Sequence, residues 1–254
     1  MKSWRTKVHI STSGWSYKDW KGLYYPDDVK PIDYLSFYAK EFDCTEINTS
    51  FYHLPKKQTV INWAEKVPAH FRFCPKLSRY ITHYKKLRDS ESSLRIFFDV
   101  FDLIQPKLGP VLIQLPAQVH FQEDIAAAFY QVLHEQYGSY RFAIEVRDKS
   151  WFAGNSLALM EKYNVGLVIA HSGKRFPYKE AVTAKHIYLR FHGPGKLYAS
   201  SYTKQSLRAY AKKCCHWLQH GHEIWIFFNN DFYGYAIENA RTLNTMIAEE
   251  MGKQ

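Results

Sequence analysis

Short apolar or alternating runs recur along the chain, beginning near Val8, Cys44, Phe71, Val111, Phe142, Gly166, His186 and Glu223, and each predicts a strand of about five to seven residues. Helical patterns lie between most of them. Pro31 fits the first turn of a helix presenting Leu35, Tyr38 and Phe42, and a second segment from about Thr59 to Lys66 stops before Pro68. Ser92 and Ser93 are placed to cap a stripe of Leu94, Phe97, Phe98, Phe101 and Ile104, and Ile125, Phe129, Val132 and Leu133 form another, closed by Gly138. Asn155 is placed to cap a short helix with Leu159 and Met160. Leu207, Tyr210, Cys214 and Trp217 end at Gly221, and Ile237, Ala240, Leu243 and Ile247 mark the last helix.

This alternation predicts a parallel sheet, and eight units fit a closed (β/α)8 TIM barrel better than an open sheet. About fifteen residues separate the sixth strand from the seventh, and Gly173 and Pro177 interrupt them, so the sixth helix is expected to be short or missing. No linker or repeat divides the 254 residues, which predicts one TIM-barrel domain over 1–254.

Strand alternation selects the residues that face the interior. It groups Ala143, Glu145 and Arg147 on the fifth strand, and Tyr188, Arg190 and His192 on the seventh, with Ile187, Leu189 and Phe191 facing helices. It likewise groups Glu46, Asn48 and Ser50, then Arg72, Cys74 and Lys76, then Leu112 with Gln114. Barrel enzymes assemble their sites at the carboxyl ends of strands, where most of these groups fall. An ionic network with a structural role is the alternative, but burying several charges is a weak source of stability. The first and last strands end in Thr12-Ser-Gly-Trp-Ser-Tyr17, which carries Trp15, and in Phe227-Phe-Asn-Asn-Asp231, which carries Asn229, Asn230 and Asp231. Gly234 follows at the expected start of the last helix, where free N–H groups can hold an anion.

The net charge of +10 suits an anionic partner, although a lysine-rich solvated surface also accounts for it. Between Lys76 and Arg88 the cations Lys76, Arg79, Lys85, Lys86 and Arg88 alternate with Tyr80, His83 and Tyr84, a pattern suited to single-stranded nucleic acid as well as to an ordinary solvated loop. The N-terminus lacks an apolar run after its basic residues, and the most apolar stretch, Phe97 to Ile104, is broken by Asp99 and Asp102, so neither a secretory signal nor a membrane span is expected. Cys44, Cys74, Cys214 and Cys215 form no Cys-x-x-Cys pair, which predicts buried thiols, no zinc site and a cytoplasmic location.

The motifs Thr12-Ser-Gly-Trp-Ser-Tyr-x-x-Trp-x-Gly with Tyr25-Pro26, Glu46-Ile-Asn-x-Ser-Phe-Tyr52, Ile81-Thr-His83, Gln114-Leu-Pro116, Glu145-x-Arg-x-x-Ser-Trp151, Arg190-x-His-Gly193 and Phe228-Asn-Asn-Asp231 resemble the YecE-like family, in order, from about Val8 to Leu243. The resemblance implies a TIM barrel of unsettled biochemical function. A likeness of that family to the endonuclease IV type of barrel implies a multi-metal site, but such a site needs a His and carboxylate cluster. Only His192 stands at an inward strand end, beside Glu46, Glu145 and Asp231, so no metal and no cofactor is expected.

Three functions remain open. In the first, a phosphorylated ligand, nucleic acid among the candidates, is held by Lys76, Arg147 and Arg190, with His192 and a glutamate exchanging protons. In the second, a glycoside hydrolase uses Glu46 and Glu145, with Trp15, Trp20, Tyr52 and Trp151 stacking on sugars. Arg147 counts against this, because a close cation keeps Glu145 ionised. The third is a non-catalytic adaptor for RNA or protein. Glu46, Glu145, His192 and Asp231 are the candidate catalytic groups; Trp15, Tyr52, Lys76, Gln114, Arg147, Trp151, Arg190, Asn229 and Asn230 are the candidate ligand contacts. No motif sets an oligomeric state.

Overall fold

A computed structural model describes residues 3–253. Its strands are β1 (Val8–Thr12), β2 (Cys44–Ile47), β3 (Arg72–Pro75), β4 (Val111–Gln114), β5 (Phe142–Glu145), β6 (Val165–His171), β7 (His186–Phe191) and β8 (Glu223–Phe228). Each begins within one residue of the position its apolar run predicts. The α-helices are α1 (Tyr34–Tyr38), α2 (Thr49–Tyr52), α3 (Lys57–Glu65), α4 (Glu91–Phe101), α5 (Glu123–Tyr137), α6 (Gly154–Lys162), α7 (Lys204–Gln219) and α8 (Tyr235–Gly252). The fold is α/β, with a six-stranded sheet of order β1-β8-β7-β6-β5-β4 and a two-stranded pair β2-β3.

The chain forms two compact units. The first comprises Met1–Thr45, Ile169–Tyr178 and Lys185–Gln254, and the second Glu46–Val168 and Lys179–Ala184. In the first unit β1 pairs parallel with β8, and β8 with β7. All six residues of β7 are buried, as expected of a parallel strand covered on both faces. Leu207, Tyr210, Ala211, Cys214 and Leu218 form the buried stripe of α7, and Ala236, Ile237, Ala240, Leu243 and Ile247 that of α8. Thr203 caps α7 by accepting from the Ser206 N–H at 3.2 Å. Tyr38 ties α1 to the end of β1, its hydroxyl 2.8 Å from Thr12 Oγ1 and 3.1 Å from the Thr12 amide.

In the second unit β4 pairs parallel with β5, and β5 with β6. The step from β3 to β4 is made by isolated bridges at Phe73–Leu108 and Lys76–Leu112. Here the regular ladders differ from the single closed one that the sequence predicts: β3 and β4 meet only at these two bridges, each of which uses a residue outside one of the strands. Lys107 closes the C-terminus of α3, its ammonium donating to the carbonyls of Ala64 (2.6 Å), Val67 (2.8 Å) and Pro68 (3.2 Å).

No helix lies between β6 and β7. Instead Thr183 serves β6 directly, its hydroxyl donating to the Val165 carbonyl at 2.8 Å and accepting from the Leu167 N–H at 2.7 Å. Two expected caps fall elsewhere: Ser90 precedes α4, placing Ser92 and Ser93 inside its first turn, and Ala153 precedes α6. Asn155 lies within α6, where its side-chain oxygen accepts from the Ser156 N–H at 3.0 Å. All four cysteines are buried. Among the described residues no helix is long and apolar enough to cross a membrane.

Candidate functional site

The second unit gathers charge at the carboxyl ends of β3, β4 and β5. Lys76 follows β3 and is 8% exposed; its ammonium donates to Gln114 Oε1 at 2.6 Å and sits 3.9 Å from the centre of the Phe51 ring. A desolvated cation over a ring face contributes about 2 kcal/mol, which helps to hold this amine away from bulk water. Gln114, at the end of β4, is buried and stands opposite Glu145 in the β4–β5 register. Glu145 is fully buried, and its Oε1 accepts from Arg147 Nε at 3.2 Å and Nη2 at 2.9 Å. The arginine side chain retains 17% exposure, so the pair runs from the interior to the surface. Glu46 is fully buried on β2.

A five-residue π-helical turn, Tyr80–Tyr84, places His83 against this cluster. The His83 ring lies 5.0 Å from Phe51, and Nδ1 is 2.9 Å from Thr82 Oγ1. Burial, followed by the charges of Lys76, Arg147 and Arg79, pushes the His83 pKa down to about 4. One neutral imidazole therefore sits in the field of three cations. Arg79 lies over the rings of Tyr52 at 5.6 Å and Tyr84 at 5.9 Å. Beyond the turn, Lys86, Leu87 and Asp89 have positive φ of 51°, 72° and 44°. Such left-handed residues cost of order 1–3 kcal/mol each and concentrate at functional segments. The sequence flags Arg79 as part of a basic loop, and His83 as part of that loop and of the Ile81-Thr-His83 motif. The spacing of Arg79 with His83, and of Tyr80 with Tyr84, is the helical signal that groups them.

The first unit holds a second polar cluster. Arg190 on β7 is 2% exposed, and His192, just beyond, is fully buried. Asn229, after β8, brings its side-chain nitrogen to 3.1 Å from His192 Nδ1. Phe176 and Tyr198 flank that ring at 6.1 and 5.8 Å. Gly193 follows with φ of 102°, and its N–H reaches the Tyr202 hydroxyl at 3.1 Å; a Cβ here would stand 2.9 Å from the Lys196 carbonyl. Burial, reinforced by the charge of Asp19, pushes the Asp231 carboxyl up to about 6. Gly234 uses its N–H on the Asp231 carbonyl at 3.2 Å, so the start of α8 is closed by a backbone turn at that position.

Several other expected groups lie apart from these clusters or serve the framework. Trp151 is buried, its indole N–H bonded to the Val119 carbonyl at 2.8 Å. Buried Asn230 donates to the Ser200 carbonyl at 3.0 Å and to Asn239 Oδ1 at 2.9 Å, joining that loop to α8. Trp15 is partly exposed, and its carbonyl accepts from the Tyr25 hydroxyl at 2.5 Å. Tyr52 is 59% exposed. Asn48 and Ser50 leave the strand alternation because α2 begins at Thr49; the Ser50 hydroxyl lies 2.8 Å from the Ile47 carbonyl and 2.7 Å from that of Lys76. Arg72 shares strand parity with Lys76 but donates to the carbonyls of Ala69 (2.9 Å) and Phe71 (3.1 Å) at the other end of β3. A groove of about 750 Å³ between α4 and α5 is lined by none of the expected site residues. Among the described residues no group of three or more His, Cys, Asp or Glu side chains is arranged to hold a metal ion.

An α/β chain with polar side chains collected at strand ends is a common enzyme and binding-protein architecture, and comparison with known proteins narrows it. The chain belongs to the DUF72 family, described as a protein of unknown function, whose model matches residues 9–254. It is 32% identical over 146 residues to the UPF0759 protein YecE of Escherichia coli K12, an alignment covering 58% of this chain; the chain spans about half the length of that relative, 50%. It is 23% identical to the UPF0759 protein YunF of Bacillus subtilis, with 93% of each chain covered. Among solved structures it is similar to the DUF72 family protein TM1631 of Thermotoga maritima, with a TM-score of 0.83, 27% identity, and 95% of this chain and 99% of that chain covered. The DUF72 family protein EF0366 of Enterococcus faecalis shares the fold at a TM-score of 0.81 and 23% identity, with 95% of each chain covered.

Proposed function

We propose that the second unit binds a phosphate-bearing ligand at the carboxyl ends of β3, β4 and β5, with Lys76, Arg79 and Arg147 as the groups that hold it. The observation that carries this reading is the convergence of those three cations on His83 beside the Phe51 ring. Guanidinium groups bond phosphate oxygens through a planar fork, and a partly desolvated setting strengthens each contact. Neutral His83 adds one hydrogen-bonding nitrogen without requiring a further buried charge. The hydrolytic carbohydrate reading is less favoured, because the Arg147 pair stabilises Glu145 as a carboxylate rather than as a proton donor. The eight strands and the β3–β4 bridges support a closed (β/α)8 barrel as the finer description of the fold, and β6, whose residues fall in both units, supports a single domain.

The test is calorimetric titration of inorganic phosphate, pyrophosphate and a nucleoside monophosphate at low and high salt. Each charge-assisted contact contributes about 1.5–3 kcal/mol, so Arg79→Gln and Lys76→Met should each weaken binding roughly tenfold or more. Arg79 lies over exposed tyrosine rings, which makes its replacement the variant that preserves the fold. Absence of binding by every phosphate ligand, or equal affinity in both variants, would refute the proposal.

A further inference from the structure

Beyond these cations, the same surface presents three tyrosine rings to solvent. Tyr52, Tyr80 and Tyr84 are 59%, 54% and 67% exposed. Large rings are ordinarily turned inward, and several exposed together mark a recognition surface. These rings are interleaved with cations: Arg79 stands over both Tyr52 and Tyr84, and Lys85 over Tyr80 at 5.6 Å. Tyr80 and Tyr84 are 6.4 Å apart at an interplanar angle of 41° on the same π-helical turn. The row is continuous with the cluster beneath it, since Tyr52 contacts Phe51 at 4.9 Å, and Phe51 touches His83 and carries Lys76 on its face.

We infer that the occupant of this surface is a single strand of nucleic acid, its bases stacked on Tyr52, Tyr80 and Tyr84 and its phosphates directed to Arg79, Lys76 and Arg147. The inference rests on the phosphate reading above and adds the ligand class. Charge complementarity selects a polyanion, and exposed ring faces select a polyanion that carries its own flat π-systems. Two rings around the Arg79 guanidinium and a third beneath Lys85 offer more ring faces than a mononucleotide, with its single base, engages. Bases can offer their faces only when splayed out of the helical stack, which excludes a duplex as the preferred form.

The experiment measures polarisation of a labelled thymidine oligonucleotide, its uridine RNA counterpart, a duplex of the same length and an abasic phosphodiester chain of the same length. Each is titrated against wild type, Tyr52→Ala and Tyr84→Ala, with pyrophosphate titrated calorimetrically alongside. Stacking on one ring corresponds to roughly a 5- to 100-fold change in affinity, so each variant should lose about that factor for the oligonucleotides and bind pyrophosphate as wild type does. The abasic chain should bind wild type more weakly than the oligonucleotides bind either variant, because it forgoes all three stacks rather than one. Equal affinity of wild type for oligonucleotide and abasic chain, or for single strand and duplex, with pyrophosphate still bound through Arg79, overturns the inference and leaves the phosphate proposal standing. Loss of pyrophosphate binding as well overturns both.

Discussion

Replacing His9 by phenylalanine is expected to destabilise the protein more at acidic than at alkaline pH. His9 lies on β1 with its ring stacked on Trp225 at 4.0 Å and 18°. Its Nδ1 is 2.8 Å from Asp43 Oδ2, and its Nε2 is 3.5 Å from Glu223 Oε1. Burial alone lowers the pKa of this imidazole, but the hydrogen bonds and charges of Asp43 and Glu223 outweigh burial and raise it above the ordinary 6.5. Phenylalanine keeps the stack and removes both polar contacts. Charge-assisted bonds of about 1.5–3 kcal/mol each are discounted here, because the Asp43 and Glu223 side chains can return to water, and a net loss of about 1–3 kcal/mol follows. The folded state holds the His9 proton more tightly than the unfolded state does. Its contribution is therefore complete below pH 6.5 and is lost as pH rises through the raised folded value. Urea unfolding of wild type and His9→Phe at a series of pH values measures this difference. A gap that stays constant with pH, or widens toward alkaline pH, would refute the reasoning.

Two further outcomes are expected. His83 should titrate near pH 4 when its ring protons are followed by NMR, and a bound phosphate ligand should move that midpoint upward by offsetting the Lys76, Arg79 and Arg147 charges; a midpoint near 6.5, or one that ligand leaves in place, would count against the cluster. Gly193→Ala should cost about 1–3 kcal/mol in denaturant unfolding, because φ is 102° and the new Cβ meets the Lys196 carbonyl at 2.9 Å; an unchanged midpoint would show that the 193–200 loop relaxes freely.

Much of this architecture is legible in the sequence because a parallel strand is a short, strongly apolar run, and eight such runs stand out from their surroundings. Axial position is less legible. Arg72 and Lys76 share parity, yet four residues of strand separate their Cα atoms by about 13 Å, enough to put one at each end of β3. Trp151 looks like a ligand contact in a strand-end motif, but an indole N–H also satisfies a buried carbonyl, and here it serves Val119. Arg79 and His83 escape a strand-based search because a π-helical turn brings them to the site, and one irregular turn carries almost no hydrophobic periodicity. The caps expected at Ser92 and Asn155 are each displaced by two residues, to Ser90 and Ala153.

The hydroxyl bridge at Thr183 bears on the order in which the chain organises itself. Its partners lie 16 and 18 residues away, a shorter excursion than that of the β5–β6 unit, which passes through α6 before Phe142 meets Val165. The entropy of closing a flexible loop grows by only about 0.6 kcal/mol per doubling of length, but a shorter loop also searches fewer conformations before its ends meet. With no helix to form between β6 and β7, the return to β6 can be made by a contact local in sequence, while α7 still has to assemble before β8 is reached. The shortened crossover thus ties β6 to the segment leading into β7 through contacts that are short in sequence, so the missing helix lowers the separation over which that part of the chain must close.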